Sequence, residues 1–582
     1  MPATTRYRIP SLKYQAIRLT GNACAGDGGE ANDFRETRMP LIRKDVSAAE
    51  NILAFSEMIF MRGEGIDLMV PAEHKPDWDD RPSRVRLYRD RQRIPLAGPA
   101  TLNRRFQATQ GTDNEPSMAT LAIMLYLMSS PLSRKLDITW NADIPQVGYL
   151  AQEYGRGAAS GGGLYPAQLY VVAGSDEQPG EGVYHYSSAQ HALVPVRFGA
   201  WTEQLARAVA EQGEAGVFPY YVVISVDFWT NCFKYHNFGY HVCSQDAGVM
   251  LGALELACDA LGIAQRSFLA FDDAMVNQAV GADGRSESAF VVVGLGTART
   301  AAPALADHAG DDQCPPSPAR AWNRSRSVKI PPDLIDVHQL TMMEPDQVAS
   351  CVAALTQPAK APKSSATQPV LDARVRAGLP SILLARRSAW GSLNGGAAVD
   401  KDDLLALLDF VWQHAVSDAN SVREPIPPGS LGLCVRVNAV GDLGCGAYQW
   451  DGQERCLVPM PSEDLKTWQS TYSMGNYNID DVGCILFVTG NLPSLVEQYG
   501  SRGYRILNAY VGRIAQFAYV AAAALKLDCG AVLGVRAKLV KRVLQLDENE
   551  NVCIGFYVSK PQDAQHLFDF SLVPDVPAWK RA

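Results

Sequence analysis

The sequence repeats itself at a constant offset, which takes residue 182 to residue 446. The stretch GVYHYSSAQHALVP, at residues 182–195, aligns without a gap on GAYQWDGQERCLVP, at residues 446–459, and five of the 14 positions are identical. The same offset relates KYHNFGYH, at residues 234–241, to QYGSRGYR, at residues 498–505. A repeat this long indicates duplicated domains rather than a solenoid, whose repeats are much shorter. The chain is therefore predicted to consist of two related halves.

Each half is predicted to mix helices and strands. The β-branched runs typical of strands are AQLYVVAG, YYVVISVD and AFVVVGLG in the first half and LGLCVRV, CILFVTG and VCIGFYV in the second. The stretches DAGVMLGALELACDALG and VGRIAQFAYVAAAALKL are long, rich in Ala and Leu, and typical of buried helices. The order is strand, long helix, loop and strand, as expected of two related domains.

Composition predicts the domain boundaries. Ala, Pro, Ser and Asp crowd together between the repeats, which predicts a linker over residues 300–379. The repeats then define a first domain over residues 76–299 and a second over residues 380–582. Residues 1–75 have mixed charge and no clear period, and we assign them as an N-terminal extension.

Composition also excludes several classes of protein. Fifty-three basic and 62 acidic residues give a net charge of −9, which offers no global field for nucleic acid or anionic membranes. The 12 cysteines form no CxxC pair and no zinc-like spacing, so we expect reduced thiols and no metal site. No apolar run approaches the roughly 18–20 residues that span a bilayer. These features predict a cytoplasmic protein that binds neither nucleic acid nor membrane.

The most informative loop carries three consecutive glycines. Its residues are Ser160, Gly161, Gly162, Gly163, Leu164 and Tyr165. It is predicted to lie between a helix and the strand AQLYVVAG. Consecutive glycines expose backbone N–H groups and let a planar or phosphorylated ligand approach closely. The loop matches neither the dinucleotide-binding nor the P-loop pattern, and a flexible turn is the alternative.

A basic motif, Arg386-Arg387-Ser388, follows the apolar stretch LPSILL in the second half. Two guanidinium groups and a hydroxyl at a turn suit a phosphate, because arginine offers a planar fork of donors and keeps its charge. The alternative is the solvated basic face of a helix, which would carry no ligand.

Lys234 and Tyr235 stand directly before the long helix of the first half. A lysine beside a tyrosine can support proton transfer by the phenol. The alternative is that both are ordinary residues at the entry of a helix. His236 and His241, nearby, are expected to be surface or capping residues rather than ligands.

These motifs occur together in the flavin-dependent nitroreductase superfamily, and the sequence resembles its SagB-type azoline dehydrogenases in their tandem-domain form. SGGGLYPAQLYVVA followed by EGVYHYSSAQHALVPV is similar to the loop, strand and hairpin of that family. KYHNFGYHVCSQDAGVMLGALELACDALGI is similar to its Lys-Tyr helix, and FDDAMVNQAVGADGRSESAFVVVGLG to its closing segment. The resemblance covers residues 76–299 directly and residues 380–560 through the repeat.

The resemblance implies an α+β fold in which two nitroreductase-like domains, each a sheet enclosed by helices, form an intramolecular pseudo-dimer that binds FMN. It implies an enzyme that oxidises thiazoline or oxazoline rings, in a peptide or carrier-bound substrate, to thiazoles or oxazoles. A cyclodehydratase complex would be a partner in such natural-product biosynthesis. Lys234 and Tyr235 would be the acid/base pair. The implied FMN-binding residues are Ser160, Gly161, Gly162, Gly163, Tyr165, Arg386, Arg387 and Ser388.

The sequence departs from the family pattern in complementary ways. The family's early Arg-x-Ser-x-Arg phosphate motif is degraded at residues 101–106 and survives only in the second half. The counterpart of the glycine loop, EPIPPGS at residues 424–430, cannot act as such a loop. Each flavin in this superfamily takes its phosphate motif from one domain and its loop from the other, so one composite site is expected to survive. Phe238 and His241 replace two arginines of the family pattern, which leaves peptide recognition open.

Two other functions stay open from the sequence. The same fold supports NAD(P)H-dependent reduction of nitro groups, quinones or enones, and a degenerate tandem could serve as a scaffold in a peptide-modifying complex. Rapid bleaching of bound flavin by NADPH would favour the reductase, and absence of flavin would favour the scaffold. The sequence does not identify the substrate or the oligomeric state.

Overall fold

A computed structural model describes most of the chain after residue 40. The described residues are 41–64, 67–89, 91–109, 115–138, 150–174, 179–209, 216–299, 322–353, 355, 368–389, 393, 397–417, 421–463, 465–475, 477–561 and 568–573. The first 40 residues of the predicted N-terminal extension and residues 300–321 of the predicted linker lie outside them. None of the helices within these ranges is long and apolar enough to cross a membrane.

Helices and strands occur in both halves. The helices are α1 (Ala48–Phe60), α2 (Leu102–Thr109), α3 (Met118–Ser129), α4 (Thr202–Ala208), α5 (Trp229–Tyr235), α6 (Gly239–Leu261), α7 (Asp273–Val280), α8 (Pro332–Leu340), α9 (Pro345–Ala353), α10 (Gln368–Ala385), α11 (Lys401–Trp412), α12 (Leu492–Tyr499), α13 (Gly503–Ala524) and α14 (Ala537–Val543). The strands are β1 (Ile94–Pro95), β2 (Pro131–Ile138), β3 (Leu150–Arg156), β4 (Ala167–Ala173), β5 (Gly182–Ser187), β6 (Ala192–Phe198), β7 (Tyr220–Asp227), β8 (Gln265–Phe268), β9 (Glu287–Leu295), β10 (Leu431–Val437), β11 (Gly446–Asp451), β12 (Cys456–Pro459), β13 (Cys484–Gly490), β14 (Asp528–Val532), β15 (Asn551–Ser559) and β16 (Phe568–Ser571).

Two sheets share the same order of six strands, and the first carries β1 as an additional edge strand. The first-half sheet runs β1-β6-β5-β4-β7-β9-β8, and the second-half sheet runs β12-β11-β10-β13-β15-β14. Neighbouring strands in both sheets are antiparallel. A third sheet, β16-β2-β3, pairs the last strand with the first half. The predicted α+β class is confirmed.

The offset of the sequence repeat also relates the elements of the two halves. It takes both ends of strands β4, β5 and β9 to the ends of β10, β11 and β15, and it takes the first residue of α6 to that of α13. All six predicted strands and both predicted long helices are present. The duplication predicted from sequence is therefore a duplication of topology.

Helices α6 and α13 cross in the centre of the protein with their backbones in close contact. A Cβ on Gly248 would lie 2.2 Å from the carbonyl oxygen of Ala509, and a Cβ on Gly512 would lie 2.1 Å from that of Gln245. Gly248 and Gly512 occupy the same position of the repeat, so the contact is symmetric. Both helices are buried on nearly all sides, as a helix that is apolar all round should be. The halves thus pack as an internal pseudo-dimer.

Two segments outside the predicted domains are folded. Phe55 of α1, in the N-terminal extension, is fully buried, and its ring centroid lies 6.1 Å from that of Tyr240 and 5.6 Å from that of Tyr504. Within the predicted linker, α8 and α9 begin at Pro332 and Pro345. The linker prediction does not hold for these residues, because proline is also favoured in the first turn of a helix. Helix α10 runs across the predicted boundary at residue 380.

Candidate functional site

The glycine loop, residues 160–165, lies between strands β3 and β4. The element before it is a strand and not the predicted helix, because residues 150–156 pair with β2. The backbone φ angles of Gly162 and Gly163 are 63° and 66°, in the left-handed region that glycine adopts without strain. Tyr165 has a φ of 56°, a conformation that is uncommon for a large side chain. The loop is therefore held in a specific shape rather than in a loose turn.

Asp246 of α6 holds this shape. Its Oδ2 accepts a hydrogen bond of 2.6 Å from the Ser160 hydroxyl, and its Oδ1 accepts one of 2.9 Å from the Gly161 amide. The Ser160 Oγ in turn accepts a bond of 2.9 Å from the Tyr165 amide. Burial raises the pKa of Asp246 to about 7, although the two bonds from the loop lower it.

The loop meets the predicted acid/base pair directly. A Cβ on Gly162 would lie 2.5 Å from the hydroxyl oxygen of Tyr235, so only glycine fits at this point. The ammonium nitrogen of Lys234 lies 5.0 Å from the centroid of the Tyr235 ring. The structure thus brings the glycine loop together with Lys234 and Tyr235, although strands β4 to β7 separate them in sequence.

The N-terminal extension and the start of the first domain both contribute to this side of the site. The Lys234 ammonium lies 5.7 Å from the ring centroid of Trp78, and the His74 Nε2 lies 3.3 Å from the Lys234 carbonyl oxygen. The Arg62 guanidinium lies 3.5 Å from the ring centroid of Phe238. The Arg62 cation therefore lies close to Phe238, a position at which the family pattern has an arginine.

Arg386 of the second half contacts the segment that leads into the glycine loop, here called the foot of the loop. Its Nη2 donates a hydrogen bond of 3.0 Å to the carbonyl of Arg156, the last residue of β3. The Arg156 guanidinium lies 4.0 Å from the ring centroid of Tyr165 in the loop. Arg387 points elsewhere and lies 3.8 Å from a carboxylate oxygen of Asp528. The structure therefore brings Arg386 to the segment before the loop and places Arg387 near Asp528.

Helix α13 supplies two further contacts across the halves. The Gln516 side chain accepts a bond of 3.2 Å from the Ala159 amide and donates one of 3.0 Å to the Gly157 carbonyl. The hydroxyls of Ser388 and Tyr519 lie 2.9 Å apart, so Ser388 is near the same helix without touching the loop. The first-half loop is thus fixed by residues of both halves.

The counterpart of the loop in the second half is filled by protein. Glu424, the counterpart of Ser160, is completely buried, pairs with Arg423, and accepts a bond of 2.8 Å from the Leu269 amide. Tyr499, the counterpart of Tyr235, is buried and donates a bond of 2.6 Å to the Pro425 carbonyl. The three consecutive glycines of the first-half loop have no counterpart here, because residues 425–427 are Pro, Ile and Pro. The two loops of the pseudo-dimer therefore differ in sequence and in contacts.

Some contributors were not found from the sequence. No sequence pattern predicts a role for Asp246, in the stretch SQDAG, or for Gln516, one of several polar residues in the buried helix α13. A polar residue in a fully buried helix must be hydrogen-bonded, and this rule could have identified Gln516. The expectation for His241 was wrong. It is buried, its Nδ1 lies 2.8 Å from the Tyr504 hydroxyl, and burial lowers its pKa to about 3.

Two regions of the chain match a known protein family. The model of the nitroreductase family matches residues 134–297 and residues 450–560, which lie one in each half. No curated protein sequence matches the chain. Within the described ranges, no group of three or more His, Cys, Asp or Glu side chains could hold a metal ion.

Solved structures extend the likeness in fold. The chain is similar to a protein of Anabaena variabilis named a putative nitroreductase, with 20% identity, a TM-score of 0.62, and coverage of 87% of this chain and 99% of that one. It also matches a chain of the E. coli microcin synthetase McbBCD complex, with 20% identity, a TM-score of 0.25, and coverage of 43% and 93%. At this identity, the first match shows a shared fold. Two regions of the chain, one in each half, thus match the nitroreductase family.

Proposed function

We propose that the chain is an FMN-dependent azoline dehydrogenase that binds one FMN between its two halves. One juxtaposition supports this proposal above all: the first-half glycine loop meets the Tyr235 hydroxyl, and Arg386 of the second half donates to the carbonyl at the foot of the same loop. A composite site of this kind is what the resemblance to SagB-type dehydrogenases implies. The substrate would be a thiazoline or oxazoline ring in a peptide or carrier-bound intermediate, supplied by a cyclodehydratase.

The residues at the loop fit FMN. Gly162 and Gly163 present backbone without side chains, which suits the close approach of a planar ring. The Nε of Arg156, beside the loop, is a buried donor with no hydrogen-bond partner among the described residues, so an acceptor of the ligand would satisfy it. Arg387 and Lys526 line one small cleft and could pair with a phosphate.

The cofactor would accept the hydride, and the chain would remove the proton. When bound, FMN would accept the hydride that leaves Cβ of the azoline. The chain has to remove the Cα proton, which is acidic because it lies between an imine and a carbonyl. Tyr235 is the group at the loop that can carry this proton, with the Lys234 ammonium beside its ring. Loss of one proton and one hydride leaves the aromatic ring.

Turnover of a synthetic azoline peptide, with dioxygen as oxidant, tests the proposal. Tyr235→Phe and Lys234→Ala are expected to keep the bound flavin and to lose about 10² to 10⁴ in rate, the usual range for a general acid/base. Gln498→Ala is the matched control, because Gln498 is the counterpart of Lys234 in the half whose loop is filled. Turnover by flavin-replete Tyr235→Phe at the parent rate would remove Tyr235 from the mechanism.

A second candidate is an NAD(P)H-dependent reductase of nitro groups, quinones or enones. The match to the nitroreductase family favours it, since the family description names nitro reduction. The two candidates differ in their electron donor. Rapid bleaching of the bound flavin by NADPH, and no bleaching by an azoline peptide, would establish the reductase.

A further inference from the structure

We propose that Asp246 is a positioning residue of the flavin site, whose carboxylate sets the shape of the glycine loop that receives FMN. The inference rests on the proposed FMN site but not on the identity of the substrate. Asp246 would touch neither FMN nor the azoline, and would act through Ser160 and Gly161.

The geometry ties both ends of the loop to one carboxylate. Each oxygen of Asp246 accepts one bond, from the Ser160 hydroxyl and from the Gly161 amide. The Ser160 hydroxyl oxygen also accepts a hydrogen bond from the Tyr165 amide, and this bond restrains the far end of the loop. Between these fixed ends Gly162 turns with its positive φ against the Tyr235 hydroxyl. Without the carboxylate, the first two residues of the loop would lose their anchor on α6.

The position of Asp246 is costly for stability. Its side chain is buried, with 5% of its surface exposed, and in the described part of the chain no cation pairs with it. A buried carboxylate without a cation destabilises a fold, and an apolar residue of similar size would serve the core better. Burial accordingly raises its pKa. The hydrogen bonds that Asp246 does make go to the loop alone, which points to the loop as the reason for its presence.

The second half shows the alternative arrangement. The counterpart of Asp246 is Tyr510, which donates a bond of 2.8 Å to the carbonyl of Glu424. Glu424 is the counterpart of Ser160, so the hydrogen bond between helix and loop runs in the opposite direction. In the first half, Asp246 accepts hydrogen bonds from O–H and N–H groups of the glycine loop. In the second half, Tyr510 donates a hydrogen bond to a carbonyl group of the counterpart loop.

Two variants of Asp246 separate positioning from a purely structural role. Asp246→Leu is expected to weaken FMN binding at least about tenfold, equivalent to about 1.4 kcal/mol. The midpoint of its thermal unfolding should stay level or rise, because a buried unpaired carboxylate is removed. Asp246→Asn keeps an acceptor for the Gly161 amide and should bind FMN within about threefold of the parent. Tyr510→Phe is the matched control and should leave FMN affinity unchanged.

Hydrogen exchange of the flavin-free chain gives a readout that needs no flavin. The amides of residues 160–165 should exchange faster in Asp246→Leu than in the parent, and Tyr510→Phe should leave them unchanged. Ser160→Ala removes the same bond from the side of the loop and serves as a second variant if Asp246→Leu does not fold.

The outcomes distinguish this inference from the proposed function. Asp246→Leu or Ser160→Ala that binds FMN like the parent, or that loses FMN only together with stability, would overturn the positioning role. A parent chain that binds FMN but does not oxidise azolines would refute the proposed reaction and leave the role of Asp246 intact. If the parent chain binds no FMN, the proposed function fails. In that case, amide hydrogen exchange of residues 160–165 at the parent rate in the variants would overturn the inference.

Discussion

Gly162 and Gly429 both adopt a positive φ, of 63° and 76°, but only Gly162 faces another side chain. An alanine at either position would adopt the left-handed conformation at a cost of roughly 1–2 kcal/mol. At Gly162 the new Cβ would also meet the Tyr235 hydroxyl, whereas at Gly429 it would meet open space. We therefore expect Gly162→Ala to weaken FMN binding and Gly429→Ala to cost stability alone.

Flavin titration and thermal unfolding of both variants check this expectation. The Gly429→Ala variant corrects for backbone strain, because the residue lies in the filled loop of the second half. Equal FMN affinities in the two variants would show that the contact between Gly162 and Tyr235 is not part of the flavin site.

At the scale of single residues, a sequence predicts the functional residues that form an unusual local motif. It does not predict those whose role depends on a tertiary contact. The glycine loop and Lys234-Tyr235 are recognisable because their residue types are unusual where they stand. Asp246 acquires its role only when α6 packs beside β3 and β4, and one sequence carries no signal for that packing. Arg386 and Arg387 are equivalent in sequence, and only the direction of their side chains separates them.

At the scale of secondary-structure elements, periodic segments were predictable and proline-rich ones were not. The long helices and the β-branched strands follow from local pattern, and all are present. Helices α1, α8 and α9 have weaker patterns and are stabilised by burial of a few residues, such as Phe55, Leu334 and Val348. Such burial depends on the surface that each helix meets, so composition alone marked these segments as extension and linker.

The segment that directly follows the N-terminal extension is expected to tune the reaction through Trp78. Trp78→Ala removes the ring that lies 5.7 Å from the Lys234 ammonium. A cation–π contact at an exposed site is worth about 0.5–1 kcal/mol, so azoline turnover should fall roughly two- to fivefold with flavin content unchanged. Trp322→Ala is the control, because Trp322 is also partly exposed and lies 4.6 Å from the Arg89 guanidinium carbon. Equal rates for the two variants would exclude a role of Trp78 at Lys234.

At the scale of the whole molecule, duplication has produced two unequal sites. The crossing of α6 and α13 keeps the symmetry of the pseudo-dimer, since Gly248 and Gly512, at equivalent positions of the repeat, make the same contact. The loops do not keep it, because one exposes glycine backbone and the other buries an Arg–Glu pair. The symmetric core maintains the interface, and this allows the two loops to differ without loss of the fold.

This asymmetry predicts one FMN per chain and unequal effects of two arginine substitutions. Arg386→Ala removes the guanidinium at the foot of the open loop, and a charge-assisted contact is worth about 1.5–3 kcal/mol, or roughly ten- to a hundredfold in affinity. Arg104, exposed on α2, belongs to the degraded motif that would serve the filled site, so Arg104→Ala should bind FMN like the parent. Released flavin, quantified against protein, gives the stoichiometry, and Arg386→Lys with a thermal midpoint controls for damage to the fold. Two FMN per chain, or equal losses from Arg386→Ala and Arg104→Ala, would mean that the second site still binds flavin in spite of the buried Arg423–Glu424 pair.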